Sequence, residues 1–300
     1  MTARIAYKRV VMGLHQSTPD RTTVRLAAEF AGLLRLDLMG LFIEDPGMLA
    51  PAQRPGAREF QLLGRRWRPL EPQSLTRDIE LCALSARRML DETAKTLGVP
   101  SRFEVVRAAL REAMKAVSQA SDIVIIAEPH NPAERAIAPF PQLVKAAFES
   151  AATVLYLPRR IARARGPVVA IATSPDDPSL ATAETIAAAA QESLIVIEAF
   201  KREAEAAPDS AGAAGIPVAR LSVARSALGD IRSLSSAIDG LRERMIVVTR
   251  GAFGEGDGDK PAALAALQSV PLLLVEPAGA PASEPANEPA NERLGRPETA

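Results

Sequence analysis

The chain has 300 residues, of which 47% are hydrophobic, and its 36 Lys and Arg residues balance its 36 Asp and Glu residues. This length predicts two domains, and the balanced charge excludes a general electrostatic preference for nucleic acid or an anionic membrane. A single cysteine, Cys82, excludes a disulfide framework. The sequence starts without a signal-peptide pattern and has no apolar run of ~18 residues, so it predicts a soluble cytoplasmic protein.

One strand–helix–strand pattern occurs twice in the sequence. An apolar run that ends at Ser17 is followed by a helical pattern to Leu34 and by a second apolar run to Ile43. The same order returns in the range 168–197. Because each copy starts a parallel sheet of its own, we predict an α/β protein with two tandem sheets.

The proline-rich region 44–73 follows the first copy of this pattern. It predicts a long ordered loop with one helical turn near residues 58–63. Its arginines alternate with Phe60 and Trp67. This pattern fits either a segment that binds an anion or a partner, or a flap that packs its aromatic side chains on its own domain. The arginines are Arg54, Arg58, Arg65, Arg66 and Arg68.

Helical and apolar patterns then alternate to the end of each half. Asp177 is predicted to cap a helix that has Pro178 at its first position. The predicted helices cover 76–97, 110–120, 142–151, 178–191, 201–207, 231–241 and 262–268. The predicted strands cover 102–106, 122–127, 153–157, 194–197, 218–223, 245–249 and 272–275.

These elements predict four regions in the chain. They are a first domain at 1–158 with the loop 46–73 inserted, a linker at 159–166, a second domain at 167–276 and a tail at 277–300. The arginine-rich linker fits an anion patch or a solvated connector. We expect a disordered C-terminal tail, because its alternation of Pro, Ala, Glu and Asn is unable to build a core.

The strands ending at Ser17 and Ser174, the strand Asp122–Ala127, and the closing strands Thr153–Leu157 and Leu272–Val275 resemble the universal stress protein family in its tandem form. The resemblance implies two doubly wound parallel five-stranded sheets of strand order 3-2-1-4-5. Ligands in such sheets bind beyond the carboxyl ends of strands 1 and 4. We also predict that the two closing strands meet within one chain as a pseudo-dimer, because an unpaired apolar edge is a liability.

Nucleotide-binding members of this family carry an Asp after strand 1 and a glycine loop after strand 4, whose amides cradle phosphates. Here His15 and Ala172 stand at the Asp position, and the first half has no glycine between Ala127 and Gly166. We therefore expect that the first half does not bind ATP in the way that the family does.

The second half keeps Gly251, Gly254 and Gly258 as candidate cofactor-binding residues, although the loop is shortened and Asp259 replaces the family's hydroxyl residue. Our first hypothesis is a non-catalytic stress-type regulatory protein that has lost ATP binding, needs no cofactor and acts through a small ligand or a protein partner. The alternative is an adenine-nucleotide-binding protein that uses the loop 250–260. Whether two chains form a homodimer is left open.

The chain's two histidines, His15 and His130, are predicted at neighbouring strand ends of the first half, with Ser17 and Glu128 beside them. Imidazole is a common metal ligand and titrates near neutral pH. A third hypothesis is therefore a metal, proton-sensing or small-ligand site at this switch point. The competing interpretation is two polar loop residues, each bonded to backbone.

Overall fold

The computed structural model describes residues 7–14, 21–61, 64–109, 112–113, 119, 121–129, 139–148, 150, 152–200, 215–254 and 258–277. Its strands are β1 (Arg9–Leu14), β2 (Asp37–Glu44), β3 (Arg58–Gln61), β4 (Arg66–Pro69), β5 (Ser101–Arg107), β6 (Asp122–Ala127), β7 (Thr153–Leu157), β8 (Val168–Ala172), β9 (Leu194–Glu198), β10 (Val218–Ser222), β11 (Met245–Thr249) and β12 (Leu272–Val275). The helices are α1 (Arg21–Leu34), α2 (Pro72–Leu97), α3 (Pro139–Phe148), α4 (Pro178–Ala190), α5 (Ile231–Ile238) and α6 (Lys260–Gln268).

Ten strands form one sheet in the order β10-β9-β8-β11-β12-β7-β6-β1-β2-β5. Read from its own first strand, each repeat has the order 3-2-1-4-5 with parallel neighbours. The predicted fold class is therefore confirmed. Strands such as β6, β7 and β11 are apolar along nearly their whole length because both sheet faces are covered.

The two repeats join edge to edge through β7 and β12. These strands pair antiparallel, with Leu272 opposite Tyr156 and Leu274 opposite Val154. The predicted meeting of the closing strands within one chain is confirmed, and it covers two edges that would otherwise be apolar and unpaired. The domain boundaries stay a prediction, because one continuous sheet runs through both repeats.

Helices cover the sheet on both faces and bury two separate apolar clusters. Helices α1, α2 and α4 lie on one face, where Phe30, Leu90 and Ile186 are buried. Helices α3, α5 and α6 lie on the other, where Leu143, Leu234 and Leu264 are buried. Within α2, for example, the buried residues recur at helical spacing, so the helix turns one apolar stripe to the sheet; they are Ile79, Ala83, Ala86, Leu90 and Ala94.

Helix ends follow the signals in the sequence. The predicted cap is confirmed, because the Asp177 side chain accepts a hydrogen bond from the Ser179 amide at 3.0 Å and Pro178 opens the helix. Gly98 ends α2 in the left-handed conformation, at φ 67°. Both α2 and α3 start earlier than predicted, at Pro72 and Pro139. A proline in the first turn lacks only an amide that has no partner within the helix.

The predicted helical turn near residues 58–63 is wrong, because β3 and β4 pair there as an antiparallel hairpin. Phe60 lies opposite Trp67, with ring centroids 5.3 Å apart. A cross-strand aromatic pair stabilises a two-stranded sheet in this way. Two 3-10 turns, at Pro46–Met48 and Ala50–Gln53, occupy much of the remaining predicted loop.

Several predictions fall on residues outside the described ranges. These are the helix at 201–207, most of the helix at 110–120 and the tail from residue 278 onward. Within the described ranges, no helix has the length and apolar character needed to cross a bilayer.

Candidate functional site

The side chain of Asp177 lies where the carboxyl ends of β8 and β11 meet, at the point where the strand order of the second repeat reverses. Its Oδ2 accepts hydrogen bonds from the amide and the hydroxyl of Thr173, both at 2.8 Å. Its Oδ1 accepts from the Ser179 amide at 3.0 Å and from the Thr249 hydroxyl. Only 4% of the residue is exposed. One buried carboxylate therefore bridges strands 1 and 4 of this repeat.

The Asp177 carboxylate is held in its charged form. Burial pushes its pKa up, but the hydrogen bonds donated by Thr173, Thr249 and Ser179 outweigh that effect, so the pKa lies below its ordinary value. A negative charge is therefore present at the switch point at neutral pH. The same side chain caps α4, so this helix N-terminus is already bonded to a carboxylate of its own chain.

Sequence reasoning identified Asp177 as a cap and missed its second role. The predicted Asp position of the family is Ala172, the last residue of β8, which is fully buried. A usable signal was present, because Thr173 follows β8 and Thr249 ends β11. Two hydroxyl residues at neighbouring strand ends are well placed to donate to one carboxylate.

Two of the predicted cofactor-binding glycines, Gly251 and Gly254, lie in a turn directly after β11, and Gly258 follows residues 255–257, which are outside the described ranges. Gly251, Gly254 and Gly258 have φ values of 86°, 105° and 55°. A Cβ at either of the first two would meet no atom within 4 Å, so the outer side of the turn is open. Lys260 folds back onto the turn and donates from Nζ to the Phe253 carbonyl oxygen at 2.8 Å. Nucleotide binding at these glycines stays a prediction.

The histidine site of the first repeat is described only in part. His15, Ser17 and His130 lie outside the described residues. Glu128 follows β6 and accepts the Arg159 amide at 3.1 Å. No cluster of three or more His, Cys, Asp or Glu side chains suited to a metal occurs among the described residues. The metal or small-ligand hypothesis stays a prediction.

Arg250, just beyond β11, links the two repeats. Its Nε donates to Oε2 of Glu276 at 2.6 Å, and its Nη2 donates to the Ala152 carbonyl oxygen at 3.0 Å. Its Nη1 donates to the carbonyl oxygen of Phe148, at the end of α3. Sequence reasoning missed this residue, because one arginine at a strand end gives no periodic signal.

A cavity of about 1030 Å3 lies between α3 and α6, with Tyr156 and Leu274 of the joined strands in its lining. It is also lined by Glu128, from the predicted histidine site, and by Gly251 and Gly258, from the predicted cofactor site. The structure thus brings together residues that the sequence assigned to separate sites. The antiparallel pairing of β7 and β12 causes this, because it brings α3 and α6, the last described helix of each repeat, to the same side of the joined strands.

No family model matches this sequence, and no curated protein matches it either. Solved structures do resemble it. A universal stress protein from Archaeoglobus fulgidus DSM 4304 is 13% identical, with 92% of this chain and 99% of that chain covered at a TM-score of 0.57. A functionally unknown protein from Pseudomonas aeruginosa PAO1 is 15% identical, with 92% and 95% covered at a TM-score of 0.54. The chain therefore has the fold of the universal stress proteins.

Proposed function

We propose that this chain is a non-catalytic, stress-type regulatory protein of the cytoplasm that has lost the ATP site of its fold and acts through a protein partner. The observation that carries this proposal is the buried Asp177 carboxylate, bonded to Thr173 and Thr249 at the switch point of the second repeat. The universal stress fold supports the stress-related part of the proposal.

The Asp177 carboxylate is 4% exposed, and both its oxygens already accept hydrogen bonds from Thr173, Ser179 and Thr249, so it is not available to a nucleotide in the way that the family's Asp after strand 1 is. Asp259 adds a second carboxylate next to Gly258, and two like charges 4 Å apart repel by ~1 kcal/mol in water and by ~4 kcal/mol at the effective dielectric constant of a protein surface. In the first repeat, Phe140 and Pro141 open α3 where the family has Gly and Ser. Proline has no amide hydrogen to donate to a phosphate. The first repeat thus lacks amides that a phosphate needs, and the second repeat keeps its glycines but has the Asp259 carboxylate beside them.

The hairpin β3–β4 supports action through a partner. Trp67 is 59% exposed and Phe60 is 45% exposed, so this aromatic pair contacts solvent rather than the core of its own repeat. Arginines surround the pair, and among the described contacts of the hairpin strands only Arg68 bonds to an acid, Glu59. Tryptophan and arginine are enriched where protein interfaces are tightest. We therefore propose an acidic segment of a partner protein as the molecule that the hairpin contacts.

Thermal denaturation with Mg-ATP tests the loss of nucleotide binding. A ligand at 100 times its Kd stabilises a protein by ~2.7 kcal/mol, which raises Tm by several degrees. The proposal predicts an unchanged Tm at about 1 mM Mg-ATP, a concentration that saturates any site tighter than about 10 μM. A rise in Tm of more than about 2 °C that Gly254→Pro abolishes would contradict the proposal.

That second outcome would support the alternative, a nucleotide site on the turn after β11. The observation that favours it is the positive φ of Gly251 and Gly254 with open space beside both. Backbone in this conformation can present successive amides to a phosphate. Lys260 would have to leave the Phe253 carbonyl to offset the acidic Asp259.

A further inference from the structure

We infer that the cavity between α3 and α6 is a binding site for an apolar, aromatic small molecule that carries no more than one charge. This site shares Gly251 and Gly258 with the predicted cofactor site and extends from them between α3 and α6. The ATP measurement below rests on the proposed loss of ATP binding, whereas the phenylalanine variants test the cavity independently of it. The inference rests on the shape of the two helical walls, on the apolar floor and on the balance of charge around the cavity.

The two walls differ in the size of their side chains, although α3 and α6 occupy corresponding positions in the two repeats. Helix α3 lines the cavity with Phe140, Val144 and Phe148, which are spaced four residues apart and each only partly buried. Helix α6 lines it with three alanines, Ala262, Ala263 and Ala266, two of which are exposed. Alanines opposite a row of larger apolar side chains leave space that packed helices would otherwise fill.

The floor of the cavity is also apolar. Tyr156 and Leu274, on the paired strands β7 and β12, are 4% and 1% exposed. A cavity with an aromatic and aliphatic lining and a few polar groups is the usual form of a small-molecule site, whose volume is about 300–1,000 Å3. The cavity volume of about 1030 Å3 accommodates such a ligand.

Charge around the cavity disfavours a polyanion. Among the described residues, two positive side chains, Lys145 and Arg250, and two negative side chains, Glu128 and Asp259, line the cavity, so the formal charges of these four cancel. The Arg250 guanidinium also donates hydrogen bonds to Glu276 and to two backbone carbonyl oxygens. Because the described lining residues carry no net positive charge, burial of apolar surface is the main driving force that they offer a ligand.

Fluorescence titration of the full chain with Nile red, a neutral aromatic dye, tests the inference. We expect saturable binding of about one dye per chain, and Ala263→Phe or Ala266→Phe should weaken it at least about tenfold by filling the space. Both positions are exposed, so the larger side chain should leave the fold intact. Ala181→Phe, at an exposed position of α4 outside the cavity, is the matched control and should bind like the parent.

Two further measurements complete the test. Mg-ATP at about 1 mM should leave the dye bound, because the part of the lining that the structure describes carries no net positive charge to attract a polyphosphate. Trp67→Ala should also leave binding unchanged, because the dye is expected in the cavity. This variant is included because the exposed Phe60–Trp67 pair is a second aromatic surface to which the dye can bind. The inference is overturned if both phenylalanine variants bind like the parent, if ATP displaces the dye, or if only Trp67→Ala removes binding.

Discussion

Arg250 donates a hydrogen bond of 3.0 Å to the carbonyl oxygen of Ala152, a residue 98 positions earlier in the chain. The same guanidinium bonds to the Phe148 carbonyl in the first repeat and to Glu276 in the second. One side chain therefore adds to the β7–β12 pairing in holding the repeats together. It also fixes the end of α3, which is one wall of the cavity.

Replacing Arg250 should weaken the protein substantially. Arg250→Ala removes three hydrogen bonds and leaves Glu276 and two carbonyls without this donor, so we expect a loss of about 2–3 kcal/mol in the free energy of unfolding. Denaturation in urea measures the loss. Arg87→Ala is the control: among the described residues Arg87 pairs with Asp91 alone, at 3.7 Å and exposed to solvent, so its loss should cost less than about 0.5 kcal/mol. Equal effects of the two changes would contradict the role given to Arg250.

Asp177 should make stability depend on pH. Because its pKa is lower in the folded protein than in the unfolded chain, the stability it contributes is present above the unfolded value of about 4 and is lost as the pH falls through the folded value. Asp177→Asn should therefore cost about 1–3 kcal/mol near neutral pH and progressively less in acid. Urea denaturation across that range measures the difference. A difference between variant and parent that stays constant with pH would show that charge is not involved.

Gly166 should tolerate no larger residue. It has φ 130°, and a Cβ there would lie 2.2 Å from the Arg242 carbonyl oxygen. We expect Gly166→Ala to cost more than about 2 kcal/mol, because backbone strain adds to the clash. Gly98→Ala is the matched control: φ is also positive, at 67°, but no atom lies within 4 Å, so only about 1 kcal/mol is at stake. Unfolding midpoints of the two variants should differ clearly, and equal midpoints would show that the clash with the Arg242 carbonyl is not the cause.

Trp67 should matter little for folding. At 59% exposure it contributes mainly its ring contact with Phe60, so Trp67→Ala should cost about 0.5–1.5 kcal/mol. Leu90→Ala, in the fully buried part of α2, should cost about 2–5 kcal/mol. If the tryptophan variant were the less stable of the two, the hairpin would be a packing element and not a contact surface.

The strands that hydrophobic runs mark in the sequence were predicted correctly. The strands Asp122–Ala127, Thr153–Leu157 and Leu272–Val275 have their predicted bounds, because runs buried on both faces stand out from their polar flanks. The hairpin was missed, because its strands are short, arginine-rich and largely exposed, so no apolar alternation marks them.

The candidate site was harder to predict than the fold. The cap role of Asp177 is local and can be read from its neighbours, whereas its bond to Thr249 joins residues 72 positions apart. The cavity depends on how two repeats meet, so no single stretch of sequence encodes it. Of the predicted glycines after β11, Gly251 and Gly254 share one turn, where their positive φ values suit glycine.

Direct measurement of ATP binding tests the central claim most closely. Equilibrium dialysis of the full chain against radiolabelled Mg-ATP, with protein and ligand near 100 μM, detects any site with a Kd of about 100 μM or tighter. The account predicts that the labelled nucleotide distributes equally across the membrane, for the parent and for Gly254→Pro. Accumulation of labelled ATP on the side of the parent, absent for Gly254→Pro, would contradict it.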